Sequence, residues 1–408
     1  MSDTSYIPFN LPEVGEEEIQ AVVEAMRSGW LTTGARTAAF ESEFQQYTGS
    51  EFALALNSCT AALHVALVAL NVGPGDEVIT TPLTFCSTVH TILHTGAKAV
   101  LADVGPDGNI DPESIAERMT DRTKVILPVH LAGLSCRMDE IWEIARQHGI
   151  HVVEDAAHAV GTHYHGYHLG AKGHSASAAV AYSFYATKNL TTGEGGMVTT
   201  NREDLFHRMK SLALHGINKD AWNRYAEKGS WFYQVLEPGF KYNLSDLQSA
   251  IGMQQLRKLE RFIAQRRRIA ERYDQAFREI PALECPVDLA HGRHAWHLYI
   301  LKLRPGMLTI DRDAFLSELR ACGVGASVHF IPIPAHPFFA EMGRPYPCPK
   351  AMAMYERMFS LPLYPAMTDE QVDRVIRAVS EIVAASVAAV AAPVGAVSVK
   401  AVGSVVAA

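Results

Sequence analysis

Two rhythms of apolar residues alternate between about residues 52 and 200. Short runs at 53–56, 77–80, 99–103, 124–130, 151–155, 180–184 and 197–200 read as strands. The segments 61–70, 87–94, 112–118 and 138–147 between them carry helical spacing. Several strands are continuous apolar runs, such as Val125-Ile126-Leu127 and Val152-Val153. Such runs are expected where both faces of a sheet are covered. The alternation predicts an α/β fold with a mostly parallel, seven-stranded sheet and helices on both faces.

From residue 247 the pattern changes. Residues 247–280 predict one long helix, with Ile251, Leu256, Leu259, Phe262, Ile263 and Ile269 as its apolar stripe. Arg266, Arg267 and Arg268 are expected on its solvated face. A strand at 296–303, a helix at 312–322, a strand at 325–330 and a last helix at 369–384 follow. Thr368 with Gln371 three residues on resembles a capping box opening that last helix. The expected organisation is a large domain over 1–250 and a smaller α+β domain over 251–385. Residues 386–408 are nearly all Ala and Val, broken by Pro393, Gly395 and Gly403, and read as a low-complexity, disordered tail. No stable membrane insertion is expected of it, because it lacks Leu, Phe and aromatic anchors.

The composition, 48% hydrophobic and 20% charged, is that of an ordinary globular protein and excludes global disorder. A net charge of -8 argues against a nucleic-acid partner, since phosphate binding needs a basic surface. No two of the six cysteines form a CxxC pair, so they read as buried thiols of a reducing compartment. The first ten residues have neither a basic nor an apolar signal region, which gives a cytoplasmic expectation. His163, His165 and His168 suggest a metal site only weakly. A strand over 162–165 turning at Gly166-Tyr167 would put His163 and His165 on one face, but no cysteine or carboxylate completes a set. A solvated hairpin and no metal are expected there.

Three features carry candidate chemistry. Ser183-Phe184-Tyr185-Ala186-Thr187-Lys188, then Gly193-Glu194-Gly195-Gly196, hands a strand end to a loop bearing one lysine and then to a glycine-rich turn. A Schiff-base lysine needs a fixed place and surroundings that release its proton, and glycines let backbone approach a bulky cofactor. Glu154-Asp155-Ala156-Ala157-His158 ends an apolar strand, where parallel sheets bind ligands. Asp155 there suits a carboxylate that keeps a pyridine nitrogen protonated. Asn57-Ser58-Cys59-Thr60-Ala61 turns from strand to helix and forms a candidate phosphate cradle. Singly, each has a plain alternative: a surface lysine, a helix cap, a hydrogen-bonded histidine. Together they fit one cofactor, pyridoxal 5'-phosphate (PLP), across the C-terminal edge of the sheet.

The sequence resembles the DegT/DnrJ/StrS-type nucleotide-sugar aminotransferases of PLP fold type I over residues 8–384. The carrying motifs are Gly29-Trp30-Leu31-Thr32-Thr33-Gly34, Gly75-Asp76-Glu77-Val78-Ile79, Glu154 to Ala159, Ser183 to Gly196, and Lys241-Tyr242-Asn243-Leu244-Ser245-Asp246. Within the family it is most similar to the UDP-4-keto-pentose aminotransferases, through His158, His294-Ala295-Trp296-His297-Leu298 and His329-Phe330. It departs from them at Phe85, where they carry Trp, and in a longer 173–178 segment. The resemblance implies that Lys188 bears the cofactor and shuttles the proton, and that Asp155 pairs with its ring nitrogen. It implies Phe85 over the ring, His158 beside it, and Thr60, Ala61 and Ser183 on the phosphate. Asn243 would reach the phosphate of the partner subunit, implying a homodimer with shared active sites. Thr33 and His329 are candidate substrate contacts. The implied reaction moves the amino group of L-glutamate onto a nucleotide-linked keto-sugar. Two rivals are a pyridoxamine-phosphate sugar dehydratase, whose relatives have His in place of the lysine, and a non-catalytic regulatory protein of the same fold. Lys188 opposes the first, and the full set of Lys188, Asp155 and Ser183 opposes the second.

Overall fold

The computed structural model describes residues 6–217, 232–287, 292–343 and 346–387. Two helices come first, α1 (Glu16–Arg27) and α2 (Ala35–Thr48). The alternating segment follows: β1 (Phe52–Leu56), α3 (Cys59–Ala69), β2 (Glu77–Thr80), α4 (Cys86–His94), β3 (Lys98–Leu101), α5 (Pro112–Arg118), β4 (Thr123–Leu127), α6 (Met138–His148) and β5 (His151–Asp155). A short hairpin, β6 (His163–Tyr164) and β7 (Tyr167–His168), precedes β8 (Ala179–Ser183), β9 (Gly196–Thr200) and α7 (Glu203–Ala213). The remainder is α8 (Asp246–Phe277), β10 (Leu283–Glu284), β11 (Gly292–Arg293), β12 (Tyr299–Leu303), α9 (Arg312–Ala321), α10 (Ala340–Gly343), α11 (Pro349–Tyr355), β13 (Met358–Leu361) and α12 (Asp369–Ser386).

Seven strands form one sheet in the order β1-β9-β8-β5-β4-β2-β3. The pairs from β8 through β3 are parallel, whereas β9 runs antiparallel to both β8 and β1. All seven strands lie where the sequence pattern predicts them. The apolar runs explain the two-sided burial. On β4, Val125 and Leu127 join the core under α3, while Ile126 between them joins the opposite core with α6. Each such side chain contributes roughly 1.5–3 kcal/mol through burial.

A second apolar core gathers the C-terminal half of α8, the three-stranded sheet β10-β12-β13, α9 and α12. Helix α8 opens with a capping box between Ser245 and Gln248, so the expected 250/251 boundary falls inside a continuous helix. Thr368 and Gln371 form the expected box at α12. That helix continues through Ser386, where the tail was expected to begin. The expected tail from residue 388 onward lies outside the described residues. Among the described residues no helix is long and apolar enough to cross a membrane.

Five local expectations are corrected. Residues 325–330 form no strand: Gly325 N–H donates to Ile7 O at 2.8 Å, and Ser327 makes only an isolated bridge to Ser360 of β13. The sheet position beside β12 belongs instead to β13, all four of whose residues are buried. The strand predicted from 296 starts at Tyr299, since Ala295 and His297 N–H turn to the carbonyls of Gly133 and Ala132. Arg266 is not solvated. It is 2% exposed and donates through Nη1 to the carbonyls of Trp296, His297 and Leu363. The short hairpin turns at His165-Gly166, both at positive φ, one residue earlier than predicted. His163 therefore faces His168, with Nε2 atoms 3.2 Å apart, and His165 bonds Asp139. Finally, all six cysteines are free, but only Cys59, Cys136 and Cys348 are buried: Cys86 and Cys285 are half-buried and Cys322 is exposed.

Candidate active site

Strand alternation sends neighbouring side chains of β5 to opposite faces. Asp155 ends the strand in a buried position, its Oδ2 accepting from Thr88 Oγ1 at 2.8 Å and its Oδ1 from Ala157 N–H at 3.0 Å. Burial raises its pKa above the ordinary aspartate value in spite of these bonds and the nearby Lys188. Glu154, one residue earlier, pairs with His130 Nε2 at 2.8 Å, and neither side chain has exposed surface. His130 Nδ1 accepts from Cys136 N–H, so the network leaves the proton on Nε2, which donates to Glu154.

Lys188 sits in the connection between β8 and β9. That loop is pinned by its own backbone: Lys188 N–H donates to Tyr185 O, Thr192 N–H to Phe184 O, and Phe184 N–H to Gly195 O, each at 2.9 Å. Asn189 Nδ2 ties it to Ala295 O at 2.8 Å. Lys188 is half-buried, and burial pulls its amine down to about 8, opposed by Cys59 and Asp155. Gly196 serves packing rather than a ligand. A Cβ there would lie 2.5 Å from Cys59 N and from Ser58 C, so its absence lets β9 meet the start of α3.

Register brings the phosphate candidates into line. Gly196 pairs with Ser183 on one side and Leu56 on the other, and β8 neighbours β5. The turn after Leu56 therefore lies beside Ser183 on the same sheet edge as Asp155. Ser58 caps α3, its Oγ accepting from Ala61 N–H at 3.1 Å, so that amide already has a partner. Thr60 is exposed in the first turn, where the helix leaves its own amides without internal acceptors. Ser183 Oγ accepts from Tyr185 N–H at 3.4 Å, and its hydroxyl proton remains to be donated.

An arc of rings borders the lysine. Phe85, 58% exposed, lies 6.1 Å from Phe330. Phe330 stacks on His158 at 5.5 Å, and His158 lies 4.4 Å from His297. His158 Nδ1 accepts from Ala132 N–H at 3.3 Å, and His329 Nδ1 is 2.9 Å from Ser360 Oγ. Burial pushes His158 and His297 well down and His329 to about 4, and Lys188 adds to each shift. The imidazoles beside the amine are therefore neutral at pH 7.

Thr33 and Asn243 bond each other at 2.6 Å, and Lys241 Nζ holds Asn243 Oδ1 at 2.6 Å. They line a different cavity, of about 500 Å³, whose lining includes neither Lys188 nor Asp155. The structure thus gathers Lys188, Asp155, His158, Ser183, Phe85, His329, Thr60 and Ala61 along one edge, while the Thr33 and Asn243 side chains line the other cavity, although the Asn243 backbone bridges to Leu56 at the cradle. Sequence reasoning gave no role to Thr88, Phe330, His297 or Asn189. Thr88 had a signal, since it follows the aromatic Phe85 in the first turn of a helix. Phe330 and His297 belong to segments notable in sequence, but only packing shows which ring meets which. Among the described residues no group of three or more His, Cys, Asp or Glu side chains is placed to hold a metal.

The DegT/DnrJ/EryC1/StrS aminotransferase family model matches residues 12–380. A spore coat polysaccharide biosynthesis protein, SpsC of Bacillus subtilis, is 49% identical over 382 residues, 93% of this chain and 97% of that protein. Among solved structures, a putative sugar aminotransferase of Streptococcus pneumoniae in its PMP form superposes with a TM-score of 0.86. It is 33% identical, covering 93% of this chain and 99% of that one. PseC of Helicobacter pylori, an aminotransferase involved in pseudoaminic acid biosynthesis, also gives 0.86, at 28% identity over 93% of this chain and 100% of that one.

Proposed function

The chain belongs to the DegT/DnrJ/EryC1/StrS aminotransferase family, a PLP-dependent family, and on that premise we propose that it aminates a nucleotide-linked keto-sugar. The amino donor is L-glutamate and the acceptor is the C4 carbonyl of a UDP-4-keto sugar, in cell-envelope polysaccharide or amino-sugar biosynthesis. The enzyme works in the cytoplasm as a homodimer with shared active sites, with Asn243 serving the partner subunit's phosphate. The similarity to a spore coat polysaccharide protein and to sugar aminotransferases supports the sugar class.

One observation carries the reading: an amine depressed to about 8 lies within electrostatic reach of a buried carboxylate at the C-terminal edge of the sheet. The donor set fits PLP. Asp155 is buried with a raised pKa, so a cationic ring N–H beside it would favour its charged form. The α3 start, Thr60 and Ser183 offer amide and hydroxyl donors to a dianion. When bound, PLP supplies an electrophilic carbon and an electron-withdrawing ring.

The remaining chemistry belongs to this chain. Lys188 Nζ is partly unprotonated near neutral pH, so it can serve as the nucleophile that would hold the cofactor and, once freed, as the base that would take the proton from the donor's Cα and deliver it to the cofactor's electrophilic carbon. Asp155, fixed by Thr88 and Ala157, is the carboxylate that would keep the proton on the cofactor's ring nitrogen. His158 stays neutral and presents Nε2–H, because Nδ1 is occupied by Ala132. Phe85, 6.1 Å from Phe330, would present its ring to the face of the cofactor.

The test is a panel of UDP- and dTDP-keto-sugars with L-glutamate. Glutamate alone is expected to convert the enzyme to its pyridoxamine form, and UDP-4-keto sugars are expected to turn over fastest. Conversion without turnover of any keto-sugar nucleotide sinks the substrate proposal.

A further inference from the structure

Two buried polar atoms without a protein partner belong to residues lining one small cavity beside Lys188. Arg266 commits Nη1 to three carbonyls, and its Nε–H has no acceptor among the described residues. Asn189 is 5% exposed, and its Nδ2 donates to Ala295 O. That bond fixes the amide orientation, because a flipped amide would set Oδ1 against the Ala295 carbonyl, acceptor against acceptor. Asn189 Oδ1 is then left without a donor among the described residues. Lys188, Asn189, Thr191 and Arg266 share the lining of this cavity, whose volume is about 10 Å³.

The chemistry of the two atoms is complementary, one donor and one acceptor. A cation would meet the guanidinium, and an anion would meet the amide oxygen. A single water needs a space of roughly 10–15 Å³ and two to four polar partners. We propose that one water binds in this cavity, accepting from Arg266 Nε and donating to Asn189 Oδ1, and that Asn189 is thereby a positioning residue for Lys188. The bridge fastens the lysine loop to α8. Asn189 is then held from two sides, by Ala295 directly and by Arg266 through the water. Arg266 also grips the Trp296 and His297 carbonyls, so His297 and the lysine loop share one anchor. The functional half of the inference rests on Lys188 as the cofactor-bearing lysine; the water site does not.

A high-resolution crystal structure of the wild-type holoenzyme is expected to show one water within hydrogen-bond distance of both atoms. A cavity without density there, or a direct Nε–Oδ1 bond, overturns the site. Asn189→Leu removes both bonds at similar volume. Its kcat is expected to fall roughly tenfold with KM little changed, short of the ~100-fold cost of a 1 Å misplacement. The pH midpoint of the bound cofactor's visible absorbance should shift with it. Arg266→Lys keeps a donor for the carbonyls but lacks the Nε–H, and is expected to lose the water and shift the same midpoint. An unchanged midpoint in both variants rejects the positioning role. A wild-type enzyme without any such absorbance band would instead reject Lys188 as the attachment point.

Discussion

Glu154 and Asp155 are adjacent carboxylates on one strand, both buried, yet the two faces of β5 treat them differently. Glu154 is committed to a protein partner, with His130 donating to it at 2.8 Å in a region without exposed surface. Asp155 takes its hydrogen bonds from neutral donors, the Thr88 hydroxyl, the Ala157 amide and the Cys59 thiol; its pKa is raised by burial, and it lies near an amine that burial has depressed. Glu154 Oε2 is already held by a protein donor, while its Oε1 is buried without a partner among the described residues, and that pairing serves structure. A carboxylate left short of a cation is prepared for a ligand that brings one.

Four experiments sharpen or break this contrast. Lys188→Ala is expected to remove turnover by at least ~10²–10⁴-fold, the usual contribution of acid–base catalysis. It should also abolish the absorbance of the covalently held cofactor, and retention of both would end the assignment. Asp155→Asn keeps shape and removes charge. Its kcat should fall by roughly 10²–10³-fold, as when one preorganised electrostatic partner is lost, with cofactor still bound in a spectroscopic titration. The opposite face should answer through stability. Glu154→Leu leaves the His130 N–H unpaired and is expected to cost about 1–3 kcal/mol in urea unfolding, with kcat within a few-fold of wild type. A variant as inactive as Asp155→Asn but undiminished in stability would break the comparison.

The smallest effect is a pH shift. Lys188 is depressed to about 8 from the ordinary 10.5. PLP capture by the apoprotein should therefore speed up as pH rises to about 8 and then level off. Between about 8 and 10.5 the folded apoprotein binds fewer protons at this site than the unfolded chain, so this site's contribution to stability grows with pH across that window. Asp155 opposes the depression, so Asp155→Asn should move the capture midpoint to lower pH, whereas Glu154→Leu should leave it in place.

Much of the site was legible because its residues terminate strong periodic elements. A parallel sheet brings strand ends to one edge, so Asp155 at the end of β5 and Lys188 after β8 follow from order alone. Thr88, Phe330 and His297 were not legible as partners. Each meets its neighbour through contacts between residues tens to hundreds of positions apart in the chain. Arg266 was misread for a related reason. In sequence it is one of three arginines on a polar stretch, and only the turn of 295–298 toward α8, together with the Leu363 carbonyl, gives it three carbonyls to satisfy.

The sequence by itself determined the seven strands, their mostly parallel arrangement and the lysine–aspartate pair, because hydrophobic period and strand-end chemistry are local properties. The tertiary structure decided which carboxylate of Glu154-Asp155 stays available, which arginine is buried and which rings border the amine. It decided that 325–330 makes only an isolated bridge to β13 instead of a strand. These outcomes depend on which distant backbone groups compete for the same hydrogen bonds and the same space, and a linear pattern carries no record of that competition.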